Sequence, residues 1–123
     1  VLVNNAGILG PVAGVMEIKY EDYLKVIDIN QHSILLGMQA VIPSMLKAGV
    51  GSIINVSSIA GIVACFGFPN IAYMASKFAI RGMTKAVAFE YGPKNIRVNS
   101  MHPGVVVRLG ECAAVEVTDE KCI

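Results

Sequence analysis

The run Ser52-Ile53-Ile54-Asn55-Val56-Ser57-Ser58 constrains the fold more than any other feature of this chain. It is β-branched and nearly continuous in its apolar residues, ends in hydroxyls, and is followed by Gly61. A strand with one face in water alternates apolar and polar residues, so an unbroken run reads as a buried strand of a parallel sheet. Parallel neighbours need crossovers, which are usually helices. The flanking sequence supplies them. Leu24, Ile27, Gln31, Ile34, Met38, Val41 and Met45 recur at helical steps and mark one face of a long helix over about residues 21–48. Pro43 should bend it, and Gly49 and Gly51 close it. A second helix is expected from about Ile71 to Tyr91, with Phe78, Met83 and Val87 inward and Gly92-Pro93 at its end.

Two more strands complete the pattern. Val1-Leu2-Val3 stops at Asn4-Asn5-Ala6-Gly7, and Ile96-Arg97-Val98-Asn99-Ser100-Met101 breaks into His102-Pro103-Gly104. The fold class is therefore α/β, a β-α-β-α-β portion of a doubly wound parallel sheet. Two right-handed β-α-β units share a central strand, and their strand ends meet at one edge. Open α/β sheets bind ligands in the crevice at that edge. Asn30, Ser58, Tyr73 and Lys77 can converge there.

Tyr73 and Lys77 lie four residues apart, on one face of the second helix. An ammonium beside a phenol favours the phenolate and lowers its pKa from about 10. Such a Tyr can take a proton from an alcohol, or return one to a carbonyl oxygen, near neutral pH. Ser58, at a strand end, can donate a hydrogen bond to a substrate oxygen. Ala6 and Gly7 let a backbone or a flat ligand come close. His32 and His102 lack metal-ligand spacing to any carboxylate or Cys pair and read as packed or surface histidines.

Together these segments resemble the classical short-chain dehydrogenase/reductase family. The resemblance rests on Asn4-Asn5-Ala6-Gly7, Asn30 in Asp28-Ile29-Asn30, Ser58 before Gly61, Tyr73-Met74-Ala75-Ser76-Lys77, and Ile96-Arg97-Val98-Asn99 followed by Pro103-Gly104. They stand in the family's order over roughly residues 1–107. The resemblance implies a Rossmann-like fold and reversible hydride transfer between a small secondary alcohol or ketone and NAD or NADP. It makes Tyr73 the general base or acid and has Lys77 hold the nicotinamide ribose. Ser58 would bind the substrate oxygen, and Asn30 a water linking Lys77 to solvent through a local break in the long helix. Asn5, Ala6 and Gly7 would line the adenosine side of the cofactor, and Pro103, Gly104 and Val106 the nicotinamide. It also implies a homodimer or homotetramer paired through the long helices, with Leu35, Leu36 and Ile80 as exposed apolar positions.

Departures from the family pattern bound this reading. No Gly-rich G-x-G-x-x-G run occurs in the 123 residues, so the chain is expected to be the C-terminal part of a longer domain, inactive alone. Arg108 stands where family members usually have Thr, and residues 108–123 read as a divergent or irregular tail. The loop between Ser58 and Tyr73 is slightly longer than usual, which makes Phe66 and Phe68 candidate walls of a substrate pocket. Two rival functions stand beside this one. An extended relative, such as a sugar epimerase or dehydratase, shares the Tyr-x-x-x-Lys pair. A truncated chain could instead serve only as a non-catalytic interaction surface.

Composition narrows the rest. The formal charge of +1, with no Lys/Arg cluster, argues against nucleic acid. Apolar residues make up 54% of the chain, yet polar residues interrupt every run well before the ~18 of a membrane span. Cys65, Cys112 and Cys122 are odd in number and irregularly spaced, supporting neither disulfides nor a metal site and fitting a reduced, cytoplasmic setting.

Overall fold

The structure, a computed structural model, describes residues 1–64 and 67–105. Strands β1 (Leu2–Asn4), β2 (Gly51–Val56) and β3 (Ile96–Met101) form a parallel sheet in the order β1-β2-β3. The apolar run thus occupies the centre. Helix α1 (Tyr20–Ile27), a π turn (Asp28–His32) and α2 (Ser33–Ala48) follow one another directly between β1 and β2. Helix α3 (Ile71–Tyr91) connects β2 to β3.

The chain steps across the sheet in one direction, so two crossovers of the same hand bring both helices onto one face. The core forms there. Ile34, Met38, Ile42 and Met45 of α2 and Ile80 of α3 pack on Ile53, Ile96 and Val98 of the strands. Each such burial stabilises the fold by about 1.5–3 kcal/mol. Along β2 the burial alternates: Ile53 and Asn55 are buried, whereas Ile54 and Val56 are only half-buried. The continuous apolar run therefore has one face covered by the described residues. β1 forms an edge of the sheet, with Val3 exposed.

Helix boundaries follow the sequence closely, and α3 spans the expected residues. Gly49 ends α2 at φ 71°, and Pro43 lies inside that helix. The inward face needs correction at three positions. Leu24 is exposed while Val26 and Ile27 are buried, because the π turn adds a residue and rotates the helix by about 100° relative to an unbroken pattern. Phe78 is exposed, its place in the core taken by Ile80, which is fully buried and not the exposed position expected. Met83 and Val87 do pack against the core. Phe66, Val106, Arg108 and the tail from residue 108 lie outside the described residues. Among the described residues no helix is long and apolar enough to cross a membrane.

Candidate active site

The carboxyl ends of the strands open onto a cleft of about 270 Å³. Asn5, Gly7, Ser58, Tyr73, Lys77, Pro103 and Gly104 line it, so seven of the sequence-derived site residues converge. Ile8, Leu9, Val56 and Ser57 line it too. Ala6 and Asn30 do not.

The first two turns of α3 deliver Tyr73 and Lys77. Asn70 starts the helix by accepting a hydrogen bond from the Tyr73 backbone N–H at 3.0 Å, and its amide donates to the Leu9 carbonyl at 3.1 Å. One side chain thus caps the helix and ties it to the loop after β1. The Lys77 ammonium lies 5.4 Å from the Tyr73 ring centroid. It donates to the carbonyl of Val56, the last residue of β2, at 3.0 Å. Burial holds the Lys77 pKa below its ordinary value, by disfavouring the charged form.

Ser57 and Ser58 part company at the strand end. Ser57 is buried and donates its hydroxyl proton to the Lys77 carbonyl at 2.8 Å. Gly61 permits this approach of α3, since a Cβ there would lie 2.6 Å from the same carbonyl. The Ser58 hydroxyl accepts from the Ala60 N–H at 3.2 Å, which leaves its own proton free to donate.

Asn30 stands behind the cleft, fully buried, in the π turn. Its side chain accepts from the Ile8 N–H and donates to the Ile8 carbonyl, both at 2.8 Å, and donates to Ser76 Oγ at 3.1 Å. The local break expected in the long helix is this π turn. A Cβ on Gly7 would come within 3.3 Å of Asn30 Oδ1, tight enough that the amide would have to give, and would stand in ordinary contact with Lys77 Nζ at 3.5 Å. Phe68 lies elsewhere. It lines a second, apolar hollow of about 450 Å³ with Val15, Ile71, Met74 and Phe78, and not the cleft that holds Tyr73.

Sequence reasoning missed the supporting contacts of Ser57, Asn70 and Ser76. Only Asn70 left a local signal, as an Asn immediately before a helical run. Among the described residues no group of His, Cys, Asp or Glu is placed to hold a metal ion.

The cleft has the donor chemistry and close backbone approach that a nicotinamide riboside needs. Lys77 keeps N–H groups beyond the one bound to Val56, and Gly7, Pro103 and Gly104 offer flat, small walls. Comparisons with known proteins identify the family. The family model for short chain dehydrogenases matches residues 1–111. A 3-alpha-(or 20-beta)-hydroxysteroid dehydrogenase of Mycobacterium bovis is 50% identical over 109 residues, 86% of this chain and 40% of its own. A cyclohexanol dehydrogenase of an Acinetobacter species is 45% identical over 104 residues, again covering 84% of this chain and 40% of the relative. The chain therefore spans about 40% of the length of these relatives. Among solved structures, a 4-hydroxyisoleucine dehydrogenase complexed with NADH and succinate superposes with a TM-score of 0.77 at 36% identity, covering 85% of this chain and 48% of that one.

Proposed function

The chain belongs to the short chain dehydrogenase family, and we propose that the whole protein is an NAD- or NADP-dependent oxidoreductase that interconverts a secondary alcohol and a ketone. The observation that carries this is the convergence of Tyr73, Lys77 and Ser58 on one cleft walled by Gly7 and Pro103-Gly104. A bound nicotinamide accepts the hydride in oxidation and supplies it in reduction.

Tyr73 takes the hydroxyl proton of the alcohol, or returns it to the carbonyl oxygen in the reverse direction. Lys77 places its positive charge 5.4 Å from the Tyr73 ring centroid while the Val56 carbonyl holds the ammonium in position. Its remaining N–H groups would hold the ribose of a bound dinucleotide. Ser58 donates its free proton to the substrate oxygen, where negative charge develops. Asn30 holds the π turn against the loop after β1, and a water at that turn leads from Lys77 to solvent. Asn5, Ala6 and Gly7 would hold the adenosine side of the cofactor, and Pro103 and Gly104 the nicotinamide; Val106, expected beside them, lies outside the described residues.

The substrate is a small molecule, and the setting is the reducing cytoplasm. Exposed Leu35, Leu36 and Phe78 pair the long helices into a homodimer or homotetramer. The test is a panel of acyclic and cyclic secondary alcohols, each incubated with the whole protein and NAD or NADP. Reduced nicotinamide should accumulate with at least one alcohol. No turnover of any alcohol or corresponding ketone, with a folded protein, contradicts the reading.

A further inference from the structure

Three contacts fix Ser58, and they differ in origin. Its hydroxyl accepts from the Ala60 N–H at 3.2 Å, and its carbonyl accepts from the Gly61 N–H at 2.9 Å. Both donors belong to the short 3-10 turn Ile59–Gly61 that follows Ser58 directly. The third donor is His102, whose Nδ1 lies 3.1 Å from the Ser58 carbonyl. It comes from the residue just past β3, immediately before Pro103-Gly104.

The neighbouring backbone is already paired with that segment. Ser57 N–H donates to the Met101 carbonyl at 2.8 Å, and Ile59 N–H to the Pro103 carbonyl at 2.9 Å. Those bonds fix where the chain runs. His102 adds a second donor to the Ser58 carbonyl, which already accepts from Gly61, and so tightens the hold on the peptide that carries the Ser58 side chain. A carbonyl can only accept, so Nδ1 must carry a proton. Nε2 lies 2.9 Å from the Ser100 hydroxyl, within hydrogen-bond distance. Ser100 thereby holds the ring's far end.

We propose that His102 is a positioning residue: it orients Ser58 toward the reacting oxygen and couples that orientation to the Pro103-Gly104 wall. This rests on the role given to Ser58 above. A hydroxyl displaced by a fraction of an ångström still binds substrate but stabilises the transition state less well.

Asn and Gln separate the two ring nitrogens. The Asn amide nitrogen occupies nearly the place of Nδ1, whereas the Gln amide reaches only toward Nε2. In the whole protein, His102→Asn should keep kcat within about threefold of the parent, and His102→Gln should lower it roughly tenfold to a hundredfold. KM for the dinucleotide should stay unchanged in both. In a Ser58→Ala background, His102→Gln should cost nothing further, because the group it positions is gone. Thermal melts of each variant establish that it is folded. A loss from His102→Gln that persists undiminished beside Ser58→Ala overturns the proposal. So does a folded His102→Asn that is as slow as Ser58→Ala, a comparison that holds even if the Gln variant does not fold. If Ser58→Ala alone keeps the parent's kcat, the role given to Ser58 falls, and the proposal falls with it by that separate route.

Discussion

Asn30 and Ile8 exchange two hydrogen bonds of 2.8 Å each, side-chain amide to backbone N–H and carbonyl. This reciprocal pair joins the π turn of the long helix to the loop that follows β1. It is what brings Gly7 up to the Lys77 ammonium. Asn30→Ala leaves both Ile8 groups and the Ser76 hydroxyl without this partner, and should destabilise the fold on the order of 2–4 kcal/mol. Urea unfolding of the variant measures this. A midpoint equal to the parent's would mean that the loop finds other partners at no cost.

The two serines at the end of β2 should respond differently to the same change. Ser58→Ala removes a donor from the cleft and should lower kcat by about 10²–10³-fold with little effect on stability. Ser57→Ala removes a buried bond to the Lys77 carbonyl and should cost about 1 kcal/mol, with a smaller effect on rate. Steady-state kinetics and thermal melts of both variants decide between them. The reverse pattern would transfer the substrate contact to Ser57.

Lys77 should leave a signature in the pH dependence of stability. Its folded-state pKa lies below the ordinary 10.5 because burial disfavours the ammonium. Between that lowered value and 10.5, the unfolded chain binds a proton that the folded chain has released. Stability from this group therefore rises with pH across that window, and below it the burial cost is present in full. Lys77→Met removes the group. Its stability relative to the parent should be greatest at neutral pH and shrink as the pH climbs toward 10.5, with turnover lost throughout. Denaturation series at several pH values check the slope. A difference that does not change with pH would show that Lys77 is not desolvated.

Much of this was legible in the sequence, for identifiable reasons. Strand β2, the bounds of α3 and the convergence of Tyr73, Lys77 and Ser58 follow from local pattern and from the crossover rule for parallel strands. The π turn blurred the rest. A helical count that ignores the extra residue puts Leu24 on the core face, where Val26 lies instead beside the expected Ile27. Phe78 was misread because it is large and apolar, although Ile80 fills the site against the sheet. His102 reads from sequence only as a packed or surface histidine, because its partners, Ser58 and Ser100, are set by strand register that no local pattern encodes.

Leu36 and Phe78 are exposed on α2 and α3 at 63% and 43%, and belong to the surface proposed above for subunit pairing. Leu36→Glu combined with Phe78→Glu should convert the expected dimer or tetramer of the whole protein to monomer in analytical sedimentation. Assembly indistinguishable from the parent's would place the subunit contact elsewhere.

The central claim is that Tyr73 carries the proton. Tyr73→Phe keeps the ring, its packing and its place near Lys77, and removes only the hydroxyl. The decisive measurement is single-turnover hydride transfer by the whole protein, parent against Tyr73→Phe, with the far-ultraviolet circular dichroism of the two compared. The account predicts matching spectra and a rate lower by about 10²–10⁴-fold. A folded Tyr73→Phe that transfers hydride within tenfold of the parent contradicts it.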